Sequence, residues 1–186
     1  MGWELSSAPL DECLGLGEYI RLLVAALGSS DPAALSRLRE VVGERSARIA
    51  LDEESVDVWF EGGELVVQEE APREVSGTGG TDTATVLDLM DGYVRPREAI
   101  LDGRLDATGT VEDVNRMFVA IEILLDAAPR SPALQKVARR FRNDPCRSRA
   151  EHPRRDTSAA RTYPSRPGPG EESVLRRLGL LPGGPP

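Results

Sequence analysis

The sequence predicts a domain of the α+β class. Apolar residues recur at helical spacing from Leu14 to Val42, then shift to a β-type alternation between Ala47 and Glu69. Helical spacing returns at Ala84 and dominates from Val111 to Phe141. Runs of helix, then strand, then helix segregate the sheet from the helices instead of interleaving them.

Leu16, Ile20, Leu23 and Leu27 follow the i, i+4, i+7, i+11 stripe of one helix face, and Tyr19, Leu22 and Ala26 add a second stripe. A first helix is expected over 14–27, with Gly28 as its C-cap. Asp31-Pro32 starts a second: a capping carboxylate, then proline where its missing N–H costs nothing. Leu35, Leu38, Val41 and Val42 form its buried side and Gly43 closes it.

The period changes after Arg45. Ala47, Ile49 and Leu51 alternate with Arg48 and Ala50, and Val56, Val58 and Phe60 with Asp57 and Trp59. Asp52 to Ser55 read as a turn. Gly62-Gly63 then leads to Leu65, Val66 and Val67, and glycine tolerates the positive φ of tight hairpin turns. Residues 47–69 are therefore expected as a three-stranded antiparallel meander. "APREVSGTGGTDT", Ala71 to Thr83, reads as a loop with at most a weak strand at its end. Its glycines lack the Lys-Ser/Thr of a phosphate-binding loop and the spacing of a dinucleotide fingerprint.

Ala84 to Tyr93 is expected to be helical, and Pro96 begins a short helix that Gly103 stops. Arg104 to Thr108 alternate as a strand. Thr110 with Asp113 resembles a capping box. The helix beyond, Val111 to Ala127, has a main stripe of Val114, Met117, Phe118, Ile121, Leu124 and Leu125. Val119 and Ile123 lie off that stripe, so this helix carries more apolar surface than one buried face requires. Ser131-Pro132 opens a last helix with Leu134, Val137, Ala138 and Phe141 inward.

The net charge of −8 is unevenly placed. Residues 1–135 hold 11 Lys/Arg against 26 Asp/Glu, and residues 136–186 hold 12 against 5. An acidic body repels polyanions, so no specific nucleic acid is expected as a partner. The sequence divides into a folded domain over 1–142 and a basic Pro/Arg-rich tail over 143–186, expected to be disordered with a short amphipathic helix at 171–181. A solvated tail is the simplest reading. A transient membrane or enzyme partner is the functional one. No run of apolar residues spans a bilayer, and the Met-Gly start precedes Trp3 and Glu4, a poor acylation context. The N-terminus lacks the basic start of a signal peptide, so a cytoplasmic location is the expectation.

Catalytic sets are scarce. A Ser/His/Asp arrangement would need His152, which sits in the tail beside Pro153. Cys13 and Cys146 have no neighbouring base, are too few for a disulfide framework, and with one histidine make no zinc site. Acidic runs at Asp52–Glu54 and Glu69–Glu70 fit solvated turns. Asp88 with Asp91 is an i, i+3 pair of the kind usually exposed on a helix. No cofactor and no metal are expected.

The order of elements resembles the sterol carrier protein type two superfamily of non-specific lipid-transfer domains. The resemblance rests on "RIALDEESVDVWFEGGELVVQEE", on "TATVLDLMDGYVRPREAILDGRLDATGTVED" with its "ILDGRL" core, and on the apolar helix that follows. It covers about residues 35–142. It implies a mixed, mostly antiparallel five-stranded sheet with helices packed on one face. It also implies an apolar tunnel between the layers and a carrier without catalytic residues. A strand is then expected near Thr83–Val86. Under this resemblance the tunnel wall is expected to draw on Trp59, Met90, Tyr93, Ile100, Phe118, Ile121 and Leu125. For each residue alone, ordinary core packing is the simpler account. A lipid chain burying about 300 Å² would gain roughly 7 kcal/mol before ordering costs, so such a site needs few polar anchors. The alternative is a cyclase or accessory factor for a hydrophobic natural product, with Tyr93 and a carboxylate converging in the same cavity. A third reading makes the domain a scaffold whose tail, Arg139 to Arg177, recruits a partner.

Overall fold

The computed structural model describes residues 13–70 and 74–147. The expectations for the tail beyond residue 147 and for its helix at 171–181 lie outside the described residues, as do those for the first twelve. Two helices, α1 (Leu16–Ser30) and α2 (Pro32–Val42), lead into β1 (Ala47–Leu51), β2 (Glu54–Glu61) and β3 (Glu64–Gln68). Then come β4 (Gly77–Thr81), α3 (Thr83–Met90), α4 (Pro96–Leu101), β5 (Leu105–Gly109) and α5 (Val111–Ala127). A single 3₁₀ turn over Ala128–Arg130 precedes α6 (Pro132–Asn143).

The strands form one mixed sheet in the order β3-β2-β1-β4-β5. All neighbours are antiparallel except β1 and β4, which run parallel with Ile49 opposite Gly79. The α+β class and the mostly antiparallel five-stranded sheet are thus as expected. Register places Ala47, Ile49, Val56, Val58, Leu65 and Val67 on one face, which the helices cover. On the opposite face Arg48 grips fully buried Asp57 through Nε and Nη2, at 2.7 and 2.9 Å.

Local signals explain most boundaries. Asp31 caps α2 by accepting from the Ala34 N–H at 2.9 Å. Gly62 and Gly63 take φ of 58° and 84°, the left-handed values of a tight hairpin turn. Asp52 is the one described non-glycine residue with positive φ, and its carboxylate holds both the N–H and the hydroxyl of Thr83 at the start of α3. Thr110 and Asp113 cap α5 reciprocally.

Two expectations are corrected. The first is the glycine-rich stretch: residues 77–81, GTGGT, form an inner strand bonded to β1 and β5, and the strand looked for at Thr83–Val86 is the start of α3. Glycine is a poor strand former, but here both edges of the strand are paired, and a Cβ on Gly77 or Gly79 would crowd the Thr108 carbonyl or the Met117 side chain. The second is Gly28. It is not a C-cap but lies inside α1, where a Cβ would stand 2.9 Å from Leu35 Cδ2. Its smallness sets how closely α1 and α2 approach.

The surplus apolar surface of α5 is accounted for by neighbours on two sides. Ile123 and Val119 pack with Leu27, Ala34, Leu38 and Leu134 of the surrounding helices. Met117 and Ile121 turn instead toward the sheet.

The ends of the domain meet. Cys13 and Cys146 are joined as a disulfide across 133 residues, with their Cα atoms 5.7 Å apart. Sequence distance was no obstacle, because α1 begins beside the end of α6. Buried Asp144 accepts from the Tyr19 hydroxyl at 2.7 Å, the Leu14 N–H at 3.1 Å and the Cys146 N–H at 2.9 Å. Arg147, only 5% exposed, pairs with Glu54 at 2.5 Å and lies over the Tyr19 and Phe141 rings. The packed chain therefore continues past the boundary drawn at residue 142.

Burial alone would push the Asp144 carboxyl up. The hydrogen bonds from Tyr19, Leu14 and Cys146, with the charge of Arg147, outweigh burial and hold it below the ordinary aspartate value. Burial first, then Asp144 itself, raises the Tyr19 phenol, so it remains a donor. A depressed carboxylate stabilises the fold above its unfolded value of about 4, and that contribution is lost as pH falls through the lower folded value. The urea midpoint is expected to be flat from pH 7 to 5 and to fall below about pH 4. In Asp144→Asn that fall should be shallower, and an unchanged profile would remove Asp144 from the account.

Candidate functional site

The helices do not fill the space above the sheet. A cavity of about 270 Å³ lies among β1, β2, β4, α2 and α5. Its walls are almost wholly apolar. Ile49, Val58, Phe60 and Leu65 come from the meander, and Leu105 from β5. Ile20 and Val24 of α1 and Leu38 and Val42 of α2 close one side. Met117, Ala120, Ile121 and Leu124 of α5 close the other, at the i, i+3, i+4, i+7 spacing of one helix face.

β4 explains why the space stays open. Gly77, Gly79 and Gly80 border the cavity with main chain only. The flanking residues in register with Gly79 are Ile49 and Ala107, so the floor is a slot between two side chains.

Polar residues also border the cavity, although they supply almost none of its surface. Arg45, Ser46, Ser76, Asp113 and Arg116 are among them. Arg45 donates through Nη1 to Asp113 and brings Nη2 to 3.8 Å from Glu112. Arg116 holds Glu112 at 2.5 Å and donates to the Val41 carbonyl at 2.7 Å, tying α5 to the end of α2. Asp113 is kept below the usual carboxylate range, chiefly by the Thr110 hydroxyl and then by Arg45, against the opposing effect of burial. Glu112 is lowered by Arg116 and then Arg45. Both acids stay charged at neutral pH, so the cluster of two arginines and two carboxylates is balanced.

Of the residues expected in the wall, Trp59 and Ile121 border the cavity. Trp59 alternates to the face opposite Val58 and Phe60, so it borders the space along its main chain and buries its indole on the other side. Met90 packs beside the core of Leu16, Leu51 and Val56. Ile100 packs against Val94, Ala99 and Leu105. Phe118 and Leu125 are half-buried on α5 and lie outside the cavity lining. Tyr93 is 61% exposed and does not border the cavity. Of the sequence stripe, Met117, Ile121 and Leu124 face the space, whereas Val114, Phe118 and Leu125 do not border it and the off-stripe Ile123 is more deeply buried than any of them. The glycines were missed because a missing side chain leaves no apolar signal.

Among the described residues, Cys13, Asp144 and Cys146 form one group with metal-ligand atoms close together, and the disulfide engages both sulfurs. No helix of the described residues is long and apolar enough to cross a membrane.

No protein-family model matches the chain, and no curated protein matches it either. Solved structures similar to it include sterol carrier protein domains, the superfamily its sequence resembles. One is a ubiquinone synthesis protein described as UbiJ-SCP2, at 19% identity and TM-score 0.40, covering 57% of this chain and 98% of that one. Another is the sterol carrier protein domain 2 of Helicoverpa armigera, at 12% identity and TM-score 0.45, covering 59% and 87%. A conserved hypothetical protein of Thermus thermophilus matches at 18% identity and TM-score 0.45, over 67% and 89%.

Proposed function

We propose that this domain binds and carries a small hydrophobic molecule in the cavity between its sheet and α2 and α5. The observation that carries the reading is the unfilled, apolar volume over a strand of glycines. Protein interiors normally close such space, since each missing contact costs dispersion energy. At about 270 Å³ it lies just below the usual range of small-molecule pockets. Its apolar lining supplies binding through the ligand surface removed from water.

The charged residues at the border of the cavity give the ligand an orientation. Arg45 uses Nη1 on Asp113 and brings Nη2 no nearer than 3.8 Å to Glu112, and with its side chain 41% exposed it keeps N–H groups for a head group. Arg48 grips Asp57 through Nε and Nη2 in this chain, so the geometry suits an oxygen acceptor. The ligand is then an amphiphile, with its apolar body over β4 and its oxygen-bearing end at Arg45 and Arg116.

The cyclase alternative needs a buried acid–base pair in the cavity. Tyr93 is exposed, Asp88 is paired with Arg104 at 2.5 Å, and Asp113 is a helix cap whose carboxyl is held below the usual range by Thr110 and Arg45. These observations favour the carrier. A transient membrane or enzyme partner for the basic tail belongs to the same reading, as the place where cargo would be exchanged.

Native mass spectrometry of gently purified protein, together with displacement of a fluorescent fatty acid, tests the proposal. A bound apolar species at one per chain is expected. Protein that carries nothing and binds no lipid probe would end the carrier reading.

A further inference from the structure

We propose that Met117 is a movable wedge that sets how long a ligand the cavity accepts; the inference rests on the carrier reading above. Met117 borders the cavity and at the same time lies along β4. A Cβ on Gly79 would overlap Met117 Cε, and one on Gly77 would sit 3.7 Å from Met117 Sδ. The thioether thus occupies the slot that these two glycines leave, between Ile49 and Ala107 of the flanking strands. Most core side chains are trapped by the chains they interdigitate with. This one rests on bare main chain and has open space beside it.

Methionine suits that position. Its unbranched chain has three rotatable bonds and a polarizable sulfur, so it changes rotamer at little cost and keeps favourable contacts in each. With the thioether in the slot the cavity has its observed volume. With it swung upward the cavity is shorter. A longer ligand is accommodated only if Met117 lies flat or moves along the strand. Gly79 is therefore a positioning residue, and it acts through Met117.

The test uses the full chain and straight-chain alkanols of increasing length, displacing the fluorescent probe 1-aminoanthracene. Each added methylene that finds room should tighten binding about fourfold, and the gain should stop where the cavity is full. In Met117→Ala that stopping point moves to longer alkanols. In Gly79→Ala the wedge is driven into the cavity and the stopping point moves to shorter ones. In Gly79→Ala/Met117→Ala the glycine substitution costs no more than the single methyl it adds to the wall, a smaller change than it makes with Met117 present. If Gly79→Ala by itself folds poorly, the comparison of the wild type with Met117→Ala still tests the wedge. An identical stopping point in the wild type and Met117→Ala overturns the wedge while leaving the carrier intact, and so does a Gly79→Ala effect that is undiminished without Met117. A wild-type chain that no alkanol engages overturns the carrier reading, and the wedge with it.

Discussion

Replacing Cys146 with serine is expected to lower the stability of the oxidised domain by about 5 kcal/mol. The disulfide to Cys13 closes a loop spanning 133 residues. In the chain-entropy account, most of its effect is to remove freedom from the unfolded chain, and a loop of that size sits at the upper end of the range. Native contacts also hold together the two ends that it joins. Leu14, Tyr19, Asp144 and Arg147 do so through hydrogen bonds and ring contacts. A loss of this size is comparable with the whole net stability of many domains. Urea unfolding of the wild type with and without reductant, beside Cys146→Ser, measures it. The reduced wild type and the variant should coincide. Equal midpoints in all three samples would show that the thiols are not joined in solution. Cytosolic thiols are ordinarily kept reduced, so the compartment in which the chain resides decides how much of this stability it has.

Ala120→Phe is expected to weaken binding of an apolar probe by roughly a hundredfold or more while leaving the domain as stable as before or more so. Ala120 is in the cavity wall at the middle of α5, between Met117 and Leu124. A benzyl group there fills space that the ligand needs, and ordinary core substitutions do not behave this way. In a tightly packed interior, added bulk costs about 1–3 kcal/mol because neighbours must move. In an open cavity the added ring gains contacts that the wall lacked, the reverse of the cost of making a cavity. Binding and thermal stability measured on one sample should move in opposite directions. A drop in both would mean that the space is already filled, and that the volume seen here is not held open in solution.

The sequence made the frame of this fold legible through residues whose local chemistry admits few alternatives. Asp31-Pro32, Gly62-Gly63 and Thr110 with Asp113 each fix a boundary by capping or by positive φ, and each lies where it was read. The cavity was less legible. A wall is defined by where side chains fail to meet, and spacing along one element cannot say how far away the next one lies. Met117 and Phe118 are equally good stripe residues, and only the tilt of α5 over β4 decides between them. GTGGT carries no alternation of polarity, so nothing local marks it as a strand. Its partners on β1 and β5 do that. The two cysteines gave no signal because their pairing depends on α1 and α6 lying side by side.

The parallel pairing of β1 with β4 bears on the order in which the protein assembles. β1, β2 and β3 join neighbours in sequence and can zip together on the timescale of a hairpin, whereas β4 must close a loop of more than two dozen residues to reach β1. Being mostly glycine, β4 brings almost no side chain to a nucleus. The meander should therefore dominate the rate of folding, with β4 and β5 docking after the barrier is crossed. Substitutions at Val58 should slow refolding, and those at Leu105 should mainly quicken unfolding. The part of the sheet that borders the cavity with bare main chain would then be the part that forms last and opens first.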